Sequence, residues 1–322
     1  MLGIHTVYTP VNRIGTAKIH DMMQFESLTM ILSALCWKKY QGPIKLYCDK
    51  DFYEYINLLG VTDLWDEIDT QTLSELDPNV NHDLFWAYSK MYVNSLQTEP
   101  FVSLDIDLFQ TQEYDYTTHD VIFSHIERSN EGIDSPTNFS SLVYYPDYHK
   151  LDMFKDRFEP FNDIEITDEA MNVAVLAINK PEMYKEFMKY VDSFVKGNNF
   201  NPMDIATHGF ERIKMTFHSS SLITFVEQRL LNAFVKSKGY TSKSILGMIY
   251  DGGAQNWDTT SGEMNNPNIT HLWGWKVSYR TPEYEQDRLD LTDFLLEVLK
   301  YDFPDSYNKY IENGNILNNC KR

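Results

Sequence analysis

The feature that most constrains this chain is the alternation of elements at its beginning. Residues Gly3–Thr9 are rich in β-branched and aromatic side chains and read as a strand. Asp21–Tyr40 carries apolar residues at helical spacing (Met22, Phe25, Leu28, Ile31, Leu32, Leu35) and stops before the Gly42-Pro43 breaker. Ile44–Asp49 is a second strand, and Lys50–Leu59 a second helix closed by Gly60. This β-α-β-α order predicts an α/β, Rossmann-like fold: a mixed, mainly parallel sheet flanked by helices. Ligands of such sheets gather beyond the carboxyl ends of the strands, where Asp49, Asp105 and Asp107 fall.

The strongest candidate site lies in Pro100–Phe109, an apolar run that contains Asp105 and Asp107. As one continuous strand it places both carboxylates on the same face, because side chains alternate with period two. Phe101, Val102, Leu104, Ile106, Leu108 and Phe109 surround them with apolar mass, so the pair calls for a charged partner. A hard divalent cation with a ligand phosphate supplies one, since Mg²⁺ and Mn²⁺ take oxygen ligands and are held by one or two carboxylates plus substrate phosphates. An isolated Asp-x-Asp is a weak signal, and its weight comes from what accompanies it.

Further along, Leu64–Ile68 reads as a brief strand and Asp83–Leu96 as a helix bearing Lys90, which is either a solvated lysine or one whose long stem reaches a ligand. Val121–Glu127 is a strand, Arg128–Ser141 a polar loop, and Tyr144–Tyr148 an aromatic run. Met171–Asn179 is an apolar strand interrupted by Asn172, a residue that must hydrogen-bond something when buried. Glu182–Val195 and Ser219–Lys238 read as helices, the second with Glu227, Gln228 and Arg229 near its middle. Ile269–Val277 is a short aromatic strand carrying His271, Gly274 and Lys276, and the remainder, Leu289–Tyr301 with Ser306–Glu312, is helical.

Composition narrows the function classes. With 47 acidic against 28 basic residues the formal net charge is −19, which argues against a sequence-independent grip on nucleic-acid phosphates. No window approaches the ~18 consecutive apolar residues of a membrane span, and the first residues carry no secretory pattern, so a cytoplasmic protein without a transmembrane segment is expected. Three cysteines, Cys36, Cys48 and Cys320, show no metal-ligand spacing.

Four segments, in order, resemble nucleotide-sugar-dependent glycosyltransferases of the GT-A fold, and most of all the glycogenin and bacterial galactosyltransferase-like retaining group. Ala87–Tyr92 resembles the helix before the metal motif, with its basic donor-contacting residue at Lys90. Ser103–Asp107 is similar to the family's Asp-x-Asp, and Asn172–Asn179 to its strand beginning with Asn, with Ala174 where a Gly is usual. His271–Lys276 is similar to the C-terminal His-x-x-Gly-x-Lys. Glu227–Asn232 resembles a segment that normally reads Asp-Gln-Asp, with Arg229 in place of the second carboxylate.

The resemblance implies a catalytic domain over residues 1–280 and a helical extension over 281–322. It implies that Asp105, Asp107 and His271 hold the metal, that Asp105, Lys90, Gly274 and Lys276 meet the donor, and that Asn172, Glu227 and Gln228 face the reacting sugar or the acceptor. Mn²⁺ suits the mixed imidazole and carboxylate set better than Mg²⁺. The donor it implies is a nucleotide sugar, UDP-linked as first choice, with retention of configuration. Saccharide, lipid-linked sugar, protein and small metabolite remain open as acceptors; a modified DNA base is disfavoured by the charge. The rival classes are a metal-dependent nucleotide or phosphate hydrolase and a GT-A-like binding protein without turnover.

Overall fold

A computed structural model describes residues 1–9, 22–82, 85–128, 162–167, 169–196, 223–246, 248–250, 269–272, 279–314 and 316–320. In chain order the principal elements are β1 (Leu2–Val7), α1 (Gln24–Tyr40), β2 (Ile44–Cys48), α2 (Lys50–Leu59), β3 (Glu67–Asp69), α3 (Tyr88–Leu96), β4 (Phe101–Leu104) and β5 (Leu108–Gln110). There follow β6 (Val121–Arg128), β7 (Glu169–Ile178), α4 (Pro181–Val195), α5 (Leu231–Ser237), β8 (Ser242–Ser244), β9 (Met248–Tyr250), β10 (Ile269–His271) and α6 (Glu285–Asp302). The class is mixed α/β with mainly parallel strand pairing and flanking helices, as the opening alternation predicts. Among the described residues no helix is long and apolar enough to cross a membrane.

The chain divides into two compact units. The first comprises Met1–Glu75, Val102–Asp115 and Asp258–Arg322. In it β1 pairs in parallel with β2, Gly3 opposite Ile44 through Val7 opposite Cys48, and β3 adds in parallel to β2. A separate two-stranded ribbon joins β5 and β10 antiparallel. Twelve of the seventeen residues of α1 are buried, so this helix is central to the unit and not an amphipathic cover. Trp37 of α1 leans over Gly3 and donates its indole N–H to the Pro43 carbonyl at 3.1 Å. Asp49 caps α2 by accepting from Phe52 N at 3.0 Å, and Gly60, at φ +73°, ends it in the left-handed conformation that glycine takes most readily. The long C-terminal helix α6 buries Arg288, Leu291, Thr292, Leu295 and Leu299 at helical spacing.

The second unit comprises Leu76–Phe101 and Tyr116–Trp257. Its β6 pairs antiparallel with β7 and parallel with β8 and then β9. Helix α4 starts with Pro181 at its first turn, where a missing N–H costs nothing, and is tied to α3 by Tyr88 Oη donating to Asp192 at 2.8 Å.

Three sequence expectations are corrected. Pro100–Phe109 is not one strand: β4 ends at Leu104, Leu108 N–H donates back to the Asp105 carbonyl at 3.2 Å, and β5 resumes with a different partner. The aspartates therefore converge through a turn and not through strand alternation. Leu64–Ile68 becomes a 3₁₀ turn, Thr62–Leu64, followed by β3 at Glu67–Asp69, so the strand starts later than its composition suggests. Helix α3 begins at Tyr88, and residues 85–87 before it, expected to be helical, are bend and turn. The segments Tyr144–Tyr148 and, beyond its first residue, Arg128–Ser141 lie outside the described residues.

Candidate functional site

The β5–β10 ribbon builds the first constellation. Its register sets His271 opposite Leu108, and Leu272 N–H donates to the Asp107 carbonyl at 3.0 Å, which fixes the backbone of His271 against the aspartate turn. Nε2 of His271 lies 3.6 Å from Oδ1 of Asp107 and 3.9 Å from Oδ2 of Asp105, and the three ligand atoms all fall within 4.8 Å of one another. Ligands about 2.1 Å from one ion sit roughly 3 Å apart when adjacent and 4.2 Å when opposed, and the two histidine–aspartate separations, 3.6 and 3.9 Å, fall between these limits. The donor set, two carboxylate oxygens and one imidazole nitrogen, fits a divalent metal. His271 and Asp107 are buried and Asp105 is partly open, so the cluster has a protein side and an accessible side.

Beneath it, His5 on β1 is fully buried. Its Nδ1 accepts from the Trp65 indole N–H at 3.1 Å, so Nε2 carries the proton and donates to Ser33 Oγ at 3.0 Å. Burial pushes its pKa down to about 4, against the opposing fields of Asp105 and Asp107. His5 is therefore neutral near pH 7 and does not offset the charge of the two carboxylates. At the adjoining carboxyl ends of β1 and β2, Asp49 accepts from Thr9 N–H at 2.5 Å and Thr9 Oγ1 at 2.8 Å in addition to capping α2. Its place in the sequence singled it out; its bonds are those of a cap.

The second constellation belongs to the other unit. Glu227, Gln228 and Arg229 are buried in a π-helical stretch, Phe225–Leu230, a geometry that is rare and concentrates at functional sites. Glu227 Oε1 is 2.9 Å from Lys90 Nζ, and both side chains are buried. Asn172 Oδ1 accepts from Ala174 N–H at 3.1 Å, inside a register irregularity where β7 bulges against β6. Arg229 donates from Nε to the Thr167 carbonyl and lies over the Phe225 ring, 6.0 Å from its centre. Tyr184, buried nearby, has its hydroxyl pKa raised by burial and by the charge of Glu227, so it stays a neutral phenol.

The structure thus brings Asp105, Asp107 and His271 together in one unit, and Lys90, Asn172 and Glu227–Gln228 into the buried interior of the other. Gly274 and Lys276 lie outside the described residues. Sequence reasoning missed His5, Tyr184 and the Val173 carbonyl; only the histidine, an ionisable residue in a mostly apolar strand, left a trace in the sequence.

Among solved structures, the chain is similar to the glycosyltransferase GlyE of Streptococcus pneumoniae TIGR4, at 14% identity over 84% of this chain and 53% of that one, with a TM-score of 0.37. It therefore spans about half the length of GlyE. It is also similar to mouse xyloside xylosyltransferase 1, at 8% identity, 84% and 96% coverage and a TM-score of 0.38. A third likeness is to the galactosyltransferase LgtC with donor and acceptor sugar analogues, at 10% identity, 89% and 99% coverage and a TM-score of 0.34. No curated protein matches the chain. Residues 15–313 match DUF6734, so the chain belongs to that family, one of unknown function.

Proposed function

We propose that this protein is a metal-dependent glycosyltransferase that moves a sugar from a nucleotide-diphosphate donor, UDP-linked as first choice, to an acceptor hydroxyl with retention of configuration. The observation that carries the reading is the convergence of Asp105, Asp107 and His271 from segments far apart in the chain, in the ligand order and types that the sequence motifs lead one to expect. A divalent ion bound there, Mn²⁺ by its tolerance of imidazole, would neutralise charge on the departing diphosphate.

Transfer breaks the bond between the anomeric carbon and the β-phosphate oxygen and forms one to the acceptor oxygen. Charge collects on the leaving oxygens, and preorganised positive groups stabilise it best. Asp105 and Asp107 supply the anionic half of the metal site, and the ribbon register holds His271 ready beside them. In the other unit, Glu227 and Gln228 are the groups assigned to the sugar and acceptor. Retention by front-face attack lets the leaving phosphate take the acceptor's proton, so the chain needs no separate strong base.

The test is thermal unfolding with UDP-, GDP-, CMP- and TDP-sugars, each with and without Mn²⁺. A ligand at 100 times its Kd that binds only the native state adds about 2.7 kcal/mol. A metal-dependent shift with one of the UDP-, GDP- or TDP-sugars is the expected result, and a shift with the CMP-sugar alone, a monophosphate donor, would overturn the diphosphate assignment. No shift with any donor on folded protein would overturn the reading in favour of a hydrolase or a binding protein.

A further inference from the structure

Lys90 carries more structural weight than a solvated or phosphate-seeking lysine would. It lies on α3, is buried, and its ammonium forms an ion pair with Glu227 Oε1 at 2.9 Å and donates to the Val173 carbonyl at 3.3 Å. Both partners sit in irregular backbone. Between the pairs Phe123–Leu176 and His125–Asn172, three residues of β7, Val173, Ala174 and Val175, stand against the single residue Ser124 of β6. Asn172 Oδ1 ties off the Ala174 N–H within this bulge, and the Val173 carbonyl turns to Lys90. Glu227 belongs to the π-helical stretch, where one extra residue per turn re-aims the side chains. One ammonium thus joins a bulge in a strand to a wide turn in a helix, two features that cost stability unless something holds them.

We propose that Lys90 is a positioning residue: it fixes the Glu227 carboxylate, and with it the Glu227–Gln228 turn, against the β7 bulge, and it does not hold the donor diphosphate. A buried carboxylate whose partner is removed is left charged in a poor solvent, so the pair behaves as a unit and its members' effects do not add. Lysine places a point charge within reach of both partners, while the longer, forked guanidinium of arginine preserves the charge with altered geometry. The choice of nucleotide probes rests on the glycosyltransferase reading.

The experiment compares full-length wild type with Lys90→Arg, Lys90→Met, Glu227→Gln and the double variant Lys90→Met/Glu227→Gln, which leaves neither charge buried alone. UDP and UDP-glucose, each with Mn²⁺, are the probes. Lys90→Met and the double variant are expected to bind UDP within about twofold of wild type. Slow hydrolysis of UDP-glucose is expected to fall at least tenfold in Lys90→Met and Glu227→Gln and no further in the double variant, with part of it regained in Lys90→Arg. A tenfold loss of UDP affinity in Lys90→Met, or losses that multiply in the double variant, overturns the proposal. If wild type shows no binding or turnover with these probes, it is the glycosyltransferase reading that fails. The urea midpoints of wild type, Lys90→Met, Glu227→Gln and the double variant then decide on Lys90: non-additive shifts support the tie to Glu227, and additive shifts overturn it.

Discussion

Acidification puts the packing beneath the metal cluster under a defined load through His5. The neutral imidazole is held between two partners, Trp65 donating to Nδ1 and Ser33 receiving from Nε2, and it is fully buried. A second proton would have to sit on Nδ1, where the indole N–H already points. The pKa is accordingly depressed from 6.5 to about 4. In the unfolded chain the same imidazole titrates near 6.5, so between these values the unfolded state binds more protons and stability falls as pH falls. The contribution is whole above pH 6.5 and is lost progressively towards pH 4. The full displacement corresponds to about 3 kcal/mol, of which about 2 kcal/mol is lost between pH 7 and pH 5. Urea unfolding followed by tryptophan fluorescence at pH 7 and pH 5, on wild type and His5→Asn, isolates this share because all other titrating groups are common to both proteins. The variant should lose about 2 kcal/mol less than wild type across that interval. Equal losses in the two proteins would refute a buried neutral His5.

Asp107→Ala should remove metal-dependent donor stabilisation while leaving the protein folded, and His271→Ala should weaken Mn²⁺ binding at least tenfold by calorimetry, since both side chains belong to the same three-ligand cluster. A folded Asp107→Ala protein that still shows the metal-dependent shift would remove that residue from the site. Gly3→Ala should destabilise by about 1–3 kcal/mol in urea, because a Cβ there would run into the Trp37 indole ring. Burial pushes the Cys36 and Cys48 thiols up to about 12, so neither should alkylate at pH 8 until the chain unfolds, as mass spectrometry of iodoacetamide-treated protein would show.

The opening β-α-β-α alternation was legible because periodicity and breakers are local: α2 begins and ends where Asp49 and Gly60 place it, and β2 differs from its predicted span by one residue. The carboxylate pair Asp105 and Asp107 and the buried Asn172 stood out in the sequence because they contradict their apolar surroundings. What failed was continuity. Pro100–Phe109 has the composition of a strand throughout, but which partner each half finds is a long-range matter, and the change of partner is what makes the turn that gathers Asp105 and Asp107. The same holds for the helix around Glu227, whose residues favour helix without saying that it winds wide.

The sequence by itself determined the class of fold, the order of its opening elements, and the residue types able to hold a divalent ion, because each follows from side-chain pattern and chemistry over a few positions. Only the tertiary structure decided that His271 comes to Asp107 through the β5–β10 register, that His5 is a neutral imidazole clamped by Trp65 and Ser33, and that Lys90 bridges Glu227 to a bulged strand. Each of these joins residues from separate segments, and the free energy of such a contact depends on burial and partners that no local window contains.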